Sequence, residues 1–253
     1  MLTLAAAASV VAVGASCIEL GVDPKAIAAI EFVAPTTPAI VLGDTLRDTL
    51  GVVDRLHAKV FDAAGDLLPD APLYFVTTDS YARVAAGSLL VANGDSLGST
   101  KVYAVSGRLQ SAARTLTLIR PPDSIAFARS TEDTIRVRVP SAGVSIDSSK
   151  TVAVTVRAAG NPVSAVRVRF ELERRGALLG PADTATYALV TSGMRVTRID
   201  TTDTNGEASR IIRVRVAAGA AVTDTLVVRA TATMGGVLKD KPARRRILIL
   251  PAP

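Results

Sequence analysis

Tryptophan is absent, and 253 residues contain one cysteine and one histidine. With Cys17 alone, no intramolecular disulfide can form, so any core must hold by packing. With His57 alone, a His-rich metal site and an imidazole relay are both excluded. Aromatics make up 4% of the chain, so the apolar content rests on Ala, Val, Leu and Ile. Over most of the length these alternate with Arg, Thr and Asp, which favours strands, because branched side chains fit a pleated, half-buried surface. No Gly-rich turn ends in Lys-Ser or Lys-Thr ahead of a helix, so no phosphate loop is present. The expectation is a non-enzymatic protein with no cofactor, no metal and no small-molecule substrate.

The net charge of +6 is unevenly spread. Residues 1–122 hold 9 Lys and Arg against 11 Asp and Glu, net −2; residues 123–253 hold 20 against 12, net +8. Two halves of different electrostatic character meet different surroundings.

From Leu2 to Ile18 runs a charge-free stretch of 17 residues, bounded by Glu19. Its end, Gly14-Ala15-Ser16 before Cys17, has the small residues of a signal-peptide cleavage site. Its length also sits at the short end of a membrane-spanning helix. The same residues resemble a bacterial lipobox, although Gly14 stands where that motif usually has Leu. That resemblance implies lipidation of Cys17. Residues 1–20 are therefore expected to be a signal, lipoprotein-like or retained anchor segment. The protein is expected to be exported, on the periplasmic side of a membrane.

Short alternating runs follow at regular spacing, each bounded by turn residues, which reads as β-sandwich architecture. Residues 28–33, 41–45, 55–62, 73–77, 83–86, 88–91, 100–105 and 112–119 are the expected strands of a first sandwich spanning 25–120. Arg120-Pro121-Pro122-Asp123 is a stiff, extended linker at 121–123. A second sandwich, 124–253, has expected strands at 124–127, 135–139, 151–157, 166–173, 188–191, 196–200, 208–216, 224–233 and 244–250. The Asn205-Gly206 pair is expected to supply the positive φ angles of a tight turn before the last of the Arg-rich middle strands, with Asp203 and Thr204 bonding back to it. The stretch 174–193 is longer than a sandwich connection needs and is the expected place for something peculiar to this chain.

The order I-x-F-V-x-P, V-L-G-D-T, A-K-V-F-D-A-A-G-D, T-T-D-S-Y-A-R-V and K-V-Y-A-V-S-G resembles bacterial Ig-like repeats of the group 2 type, with Phe75 where that family often has Trp. V-T-V-R-A-A-G-N-P-V-S-A-V-R-V-R-F and T-T-D-T-N-G-E-A-S resemble the group 1 repeats of invasin- and intimin-type adhesins. These resemblances imply an all-β chain of two tandem immunoglobulin-like β-sandwiches behind the N-terminal apolar segment.

Two groups of residues stand out as candidates. Asp44, Asp48 and Asp54, and Asp200, Asp203 and Glu207, are clustered carboxylates, but their spacing matches no calcium loop and turn formation accounts for them. The arginines are more telling. Arg136 and Arg138, Arg167 and Arg169, and Arg213 and Arg215 alternate with apolar residues, so each pair shares the outer face of a strand. Together with Arg244, Arg245 and Arg246 they are candidates for docking an acidic protein or anionic lipid headgroups; as a bland alternative, they form a solvated face that discourages edge pairing. Nucleic acid is not an expected partner, since export removes access and stacking aromatics are scarce. The functional expectation is an extrinsic accessory subunit that stabilises a larger membrane complex, respiratory or photosynthetic, or binds another envelope protein. The alternative is a cell-surface adhesin or stalk of the invasin-like type.

Overall fold

The computed structural model describes residues 26–94, 96–128, 131–139, 145–218, 220, 223–234, 238 and 241–253. Cys17 and the expected 1–20 segment lie outside the described residues. Strands β1 (Ile27–Phe32), β2 (Ala39–Val41), β3 (Ala58–Asp62), β4 (Tyr74–Thr77), β5 (Ala82–Ala85), β6 (Leu89–Ala92), β7 (Gly98–Ser106), β8 (Leu109–Gln110) and β9 (Arg114–Ile119) precede the linker and pair only among themselves. One layer has the order β2-β9-β7-β4, with β2 parallel to β9 and β8 folded back on β7. The facing layer holds the β1–β3 and β5–β6 pairs. The segment leading into β3 reaches β6 through single bridges from Thr45 to Val91 and from Arg55 to Leu89. Phe32 and Phe75 meet between the layers with ring centroids 5.3 Å apart, so Phe75 is a core aromatic of this half beside Phe32.

After the linker come β10 (Ser124–Phe127), β11 (Glu132–Val137), β12 (Ile146–Ala158), β13 (Asn161–Pro162), β14 (Arg167–Arg174), β15 (Ala177–Leu178), a 3-10 turn (Pro181–Ala185), β16 (Tyr187–Val190), β17 (Ile199–Thr201), β18 (Glu207–Val216), β19 (Asp224–Ala232) and β20 (Ala243–Pro251). One layer runs β10-β12-β18-β16; the other runs β11-β20-β19-β14, with β15 and β17 on the far edge of β14. As in the first half, the opening strand stays in one layer while the next crosses over to lie parallel to the last strand, here β11 against β20. The inward side chains of β18 are Ala208, Arg210, Ile212, Val214 and Val216, and the four apolar ones pack with Val152, Val154, Phe170, Leu226, Ile247 and Ile249. Fully burying an aliphatic or Phe side chain is worth roughly 1.5–3 kcal/mol, and that term holds the two layers together without a disulfide.

The two halves are not beads on a string. Ala39, Val41 and Ile119 of the first half are buried within the core cluster of the second. The linker is pinned as well: the Asp123 N–H donates to the Arg157 carbonyl at 3.0 Å, and the Asp123 carboxylate accepts the Ala159 N–H at 2.6 Å. The stiffness expected from Pro121-Pro122 is thus reinforced by packing and hydrogen bonds.

The Asn-Gly turn differs from expectation. Only Gly206 has a positive φ, +71°, so this is not a two-residue turn with two left-handed positions. The Asp203 N–H donates to the Glu207 carbonyl and the Gly206 N–H to the Asp203 carbonyl, both at 3.0 Å, giving a three-residue loop closed by a left-handed glycine. The Asp203 carboxylate accepts the N–H groups of Asn205 at 2.8 Å and Glu207 at 2.9 Å. The same device occurs at Asp62–Asp66, where Asp62 accepts from Ala64 and Asp66, and at Asp48–Val52, where Asp48 accepts from Leu50 and Val52. Gly65 and Gly51 take the left-handed position there. The shared sequence is D-x-x-G-x, and the aspartate, rather than the asparagine, is its organising residue.

Candidate interaction surface

On the outer face of the β11-β20-β19-β14 sheet, six arginines stand against three glutamates. Arg136 and Glu132 come from β11, Arg244 and Arg246 from β20, Arg229 from β19, and Arg167, Arg169, Glu171 and Glu173 from β14. Strand register sets Arg244, Arg229 and Glu171 in one row and Arg246, Val227 and Glu173 in the next. Ion pairs form along and across these rows, Arg169 to Glu171 at 3.1 Å, Arg244 to Glu173 at 3.5 Å and Arg246 to Glu132 at 3.8 Å. Arg167 donates to the Thr201 hydroxyl at 2.7 Å, and Arg136 to the Pro251 carbonyl at 3.4 Å. Arg229 sits among them with its Nε shielded from solvent and without a hydrogen-bond partner. Arg138 is exposed just beyond the end of β11. The face therefore keeps a surplus of positive charge after its internal pairs are made.

Arg213 and Arg215 are elsewhere. They lie on β18 in the opposite layer and have work within the chain. Arg215 grips Asp147 across to β12 with two hydrogen bonds at 2.7 and 2.8 Å, which holds the Asp147 carboxyl below the usual carboxylate range. Arg213 donates to the Thr184 carbonyl at 2.8 Å, anchoring the 3-10 turn. The expected arginines thus fall on two opposite faces rather than one.

Arg245 corrects the reading of Arg244, Arg245 and Arg246 as one exposed cluster. A strand alternates its faces, so with Arg244 and Arg246 outward, Arg245 points inward with Ile247 and Ile249 and is 3% exposed. It donates to Asp133 at 2.7 Å and stacks over Phe127 at 5.9 Å, while Lys150 reaches the same carboxylate at 3.0 Å. Burial pushes the Asp133 carboxyl up, but Lys150, the Thr134 N–H and Arg245 outweigh it and hold it below the ordinary range. Val139, at the end of the expected strand 135–139, lies beyond β11 and is exposed.

Further inward-facing charges take partners that nothing in their local sequence pattern supplies. Arg210 bonds Asp200 at 3.0 Å and also reaches the Ile199 carbonyl. Arg174 bonds Asp224 at 2.6 Å and lies over the Tyr187 ring, whose hydroxyl donates to Asp224 at 2.7 Å. Burial and the Asp224 partner push the Tyr187 hydroxyl up to about 12. The stretch 174–193 supplies part of this network and the edge strand β16, so its length is used to complete the sandwich.

Gly94-Asp95-Ser96-Leu97-Gly98 spells G-x-S-x-G. It joins strand β6 to strand β7, whereas a nucleophile elbow needs a strand followed by a helix. His57 is exposed. Asp44 pairs with Arg47, Asp54 accepts from Thr36, and Asp200 accepts the Ser209 N–H; among the described residues no group of three or more His, Cys, Asp or Glu converges as a metal site. Between the two halves lies an open groove of about 290 Å³ lined by Leu97, Ile119, Arg120, Asn161, Pro162 and Val163. Among the described residues no helix is long and apolar enough to cross a membrane.

The strand order in both halves, with a parallel pairing of second and last strands, is that of the immunoglobulin-like β-sandwich, and the chain is two of these in tandem. No family model matches the chain, and no curated protein matches it. Solved structures similar to it include the Yersinia pseudotuberculosis adhesin InvE, at 12% identity and TM-score 0.33, covering 90% of this chain and 61% of that one. The fibronectin(III)-like modules of Clostridium thermocellum CbhA are 11% identical at TM-score 0.35, covering 88% and 95%. Domains 4–9 of the surface layer protein SbsC are 14% identical at TM-score 0.30, covering 90% of this chain and 31% of theirs. At these scores the likeness carries no argument, and the assignment rests on strand order.

Proposed function

We propose that this chain is a non-enzymatic envelope protein, an extrinsic accessory subunit that binds and stabilises a larger membrane complex from the periplasmic side. The observation that carries the proposal is the arginine-rich outer face of the second sandwich, where among the described residues six arginines exceed three glutamates and the Arg229 Nε has no hydrogen-bond partner. A surplus of positive charge on a rigid sheet steers and registers an acidic partner surface, with Arg favoured for its planar fork of donors. The continuous core across the linker fixes that face relative to the first sandwich, as a bracing element requires.

The test is co-purification from membranes solubilised in mild detergent, followed by mass spectrometry. The expected result is a membrane complex that retains the protein at moderate salt and loses it when Arg229, Arg244 and Arg246 are changed to Glu. Recovery only as a free protein, with the wild-type arginines intact, overturns the proposal. Protease treatment of intact cells separates it from a surface adhesin: a periplasmic subunit is protected, whereas a stalk is cut.

A further inference from the structure

The two sandwiches share a strand order but treat one edge differently. In the second, the chain beyond β16 folds back on it, with Val190 bridged to Val196 and the Thr197 N–H donating to the Leu189 carbonyl at 3.0 Å. It then crosses to the other layer, where β17 pairs with β14 and the Phe170 N–H donates to the Arg198 carbonyl at 2.7 Å. Residues 196–201 thereby close that side. In the first sandwich residues 78–81 join β4 directly to β5, and no strand covers β4: among the described residues it pairs with β7 alone. A free edge is a template for another strand, and proteins usually blunt it with charge, proline or a bulge. Tyr74-Phe75-Val76-Thr77 has none of these.

The sheet face beside this edge is apolar. Tyr74, 53% exposed, stands opposite Val105, and Val76 stands opposite Tyr103, all four on the outer side, with Gln110 of β8 across from Val105. Lys101 marks the end of the patch. The equivalent face of the second sandwich carries the arginines described above. Three of the four tyrosines lie in the first sandwich, and aromatic residues beside an open strand are typical of a buried interface.

We propose that β4 pairs antiparallel with β4 of a second copy of this chain, joining the two first sandwiches through one continuous sheet. Charge selects the second copy as the occupant. A two-fold pairing sets identical segments against each other, which an uncharged strand tolerates and a charged one does not. Neighbouring β5 carries Arg83, and the half with net charge +8 repels its own copy, whereas the half with −2 is nearly neutral. Centring the two-fold on Phe75 puts Tyr74 across from Val76 of the partner copy on the outer face. It also keeps Phe75 on the core side, so the register preserves both faces. This inference is independent of the proposed function.

The test is native mass spectrometry of the full chain in mild detergent under reducing conditions, with hydrogen exchange read on the peptide spanning residues 73–78. The expected wild-type result is a two-copy mass with slow exchange in that peptide. Val76→Lys and, at a more tolerant exposed position, Tyr74→Lys should return a one-copy mass and raise exchange in that peptide at least tenfold, leaving β18 protected. A one-copy wild type at micromolar concentration, or a two-copy species whose β4 exchanges fast or survives both lysines, overturns the inference.

Discussion

Gly206→Ala and Gly65→Ala are the same substitution in the same kind of turn, and the structure makes them unequal. Both glycines close a D-x-x-G-x loop, with φ of +71° and +88°. Forcing an alanine into that region costs about 1 kcal/mol. At Gly65 nothing lies within 4 Å of an added Cβ, so that figure stands alone. At Gly206 the Cβ would lie 2.6 Å from the Val156 carbonyl oxygen and 3.0 Å from the Val163 nitrogen, both backbone atoms that cannot swing aside. Relieving this moves the loop away from β12 and weakens the bond from the Val156 N–H to the Gly206 carbonyl, now 2.8 Å. That bond is worth about 1 kcal/mol and the overpacking about 1–3 kcal/mol. Gly206→Ala should therefore cost roughly 3–5 kcal/mol, the backbone cost included, against about 1 kcal/mol for Gly65→Ala. The assay is urea unfolding followed by circular dichroism, with amide exchange on β18 and β3 reporting each sandwich. Equal costs at the two sites would refute the crowding argument and leave only backbone conformation.

Asp133→Asn tests the inward-facing cluster through pH. The Asp133 carboxyl is held below its usual range in the folded chain, so its stabilisation is present above the unfolded carboxylate value of about 3.9 and is lost as pH falls through the lower folded value. The variant should be less stable at pH 7 and show a shallower decline below pH 4, measured as urea midpoints at each pH. Ile119→Ala removes a side chain that is 3% exposed where the core of the second sandwich meets the first. A cost of about 2–4 kcal/mol is expected, with one calorimetric transition splitting into two; a single transition shifted by less than a degree would show that the junction packing is idle.

How much of this was legible in the sequence depends on the range of the interaction. Ile212, Val214 and Val216 against Arg213 and Arg215 give the face assignment of β18, because alternation is local and the core enforces it. The same rule, carried through Arg244 to Ile249, places Arg245 inside; the triple arginine obscured it because its compensating charges, Asp133 and Lys150, come from other strands. The sequence places the turn at Asn205-Gly206 with Asp203 bonding back to it, and the structure has that bond but gives the positive φ to Gly206 alone. Only the repeated D-x-x-G-x at 48–52 and 62–66 reveals that the carboxylate organises it. Which of the expected arginines share a surface was beyond reach, since that depends on which layer each strand joins. The open edge of β4 was written in the shortness of residues 78–81, but it gains meaning only beside the closed edge of the second sandwich.

The parallel pairing of second and last strands has a mechanical consequence. Tension applied between the two ends of a sandwich pulls these neighbours past one another, so their hydrogen bonds are loaded together in shear instead of opening singly. In the second sandwich six residue pairs, from Glu132 with Arg246 to Val137 with Pro251, share the load. In the first only three do, from Ala39 with Thr117 to Val41 with Ile119. Under stretch the first sandwich is the weaker link, and it yields while the arginine-bearing half keeps its shape.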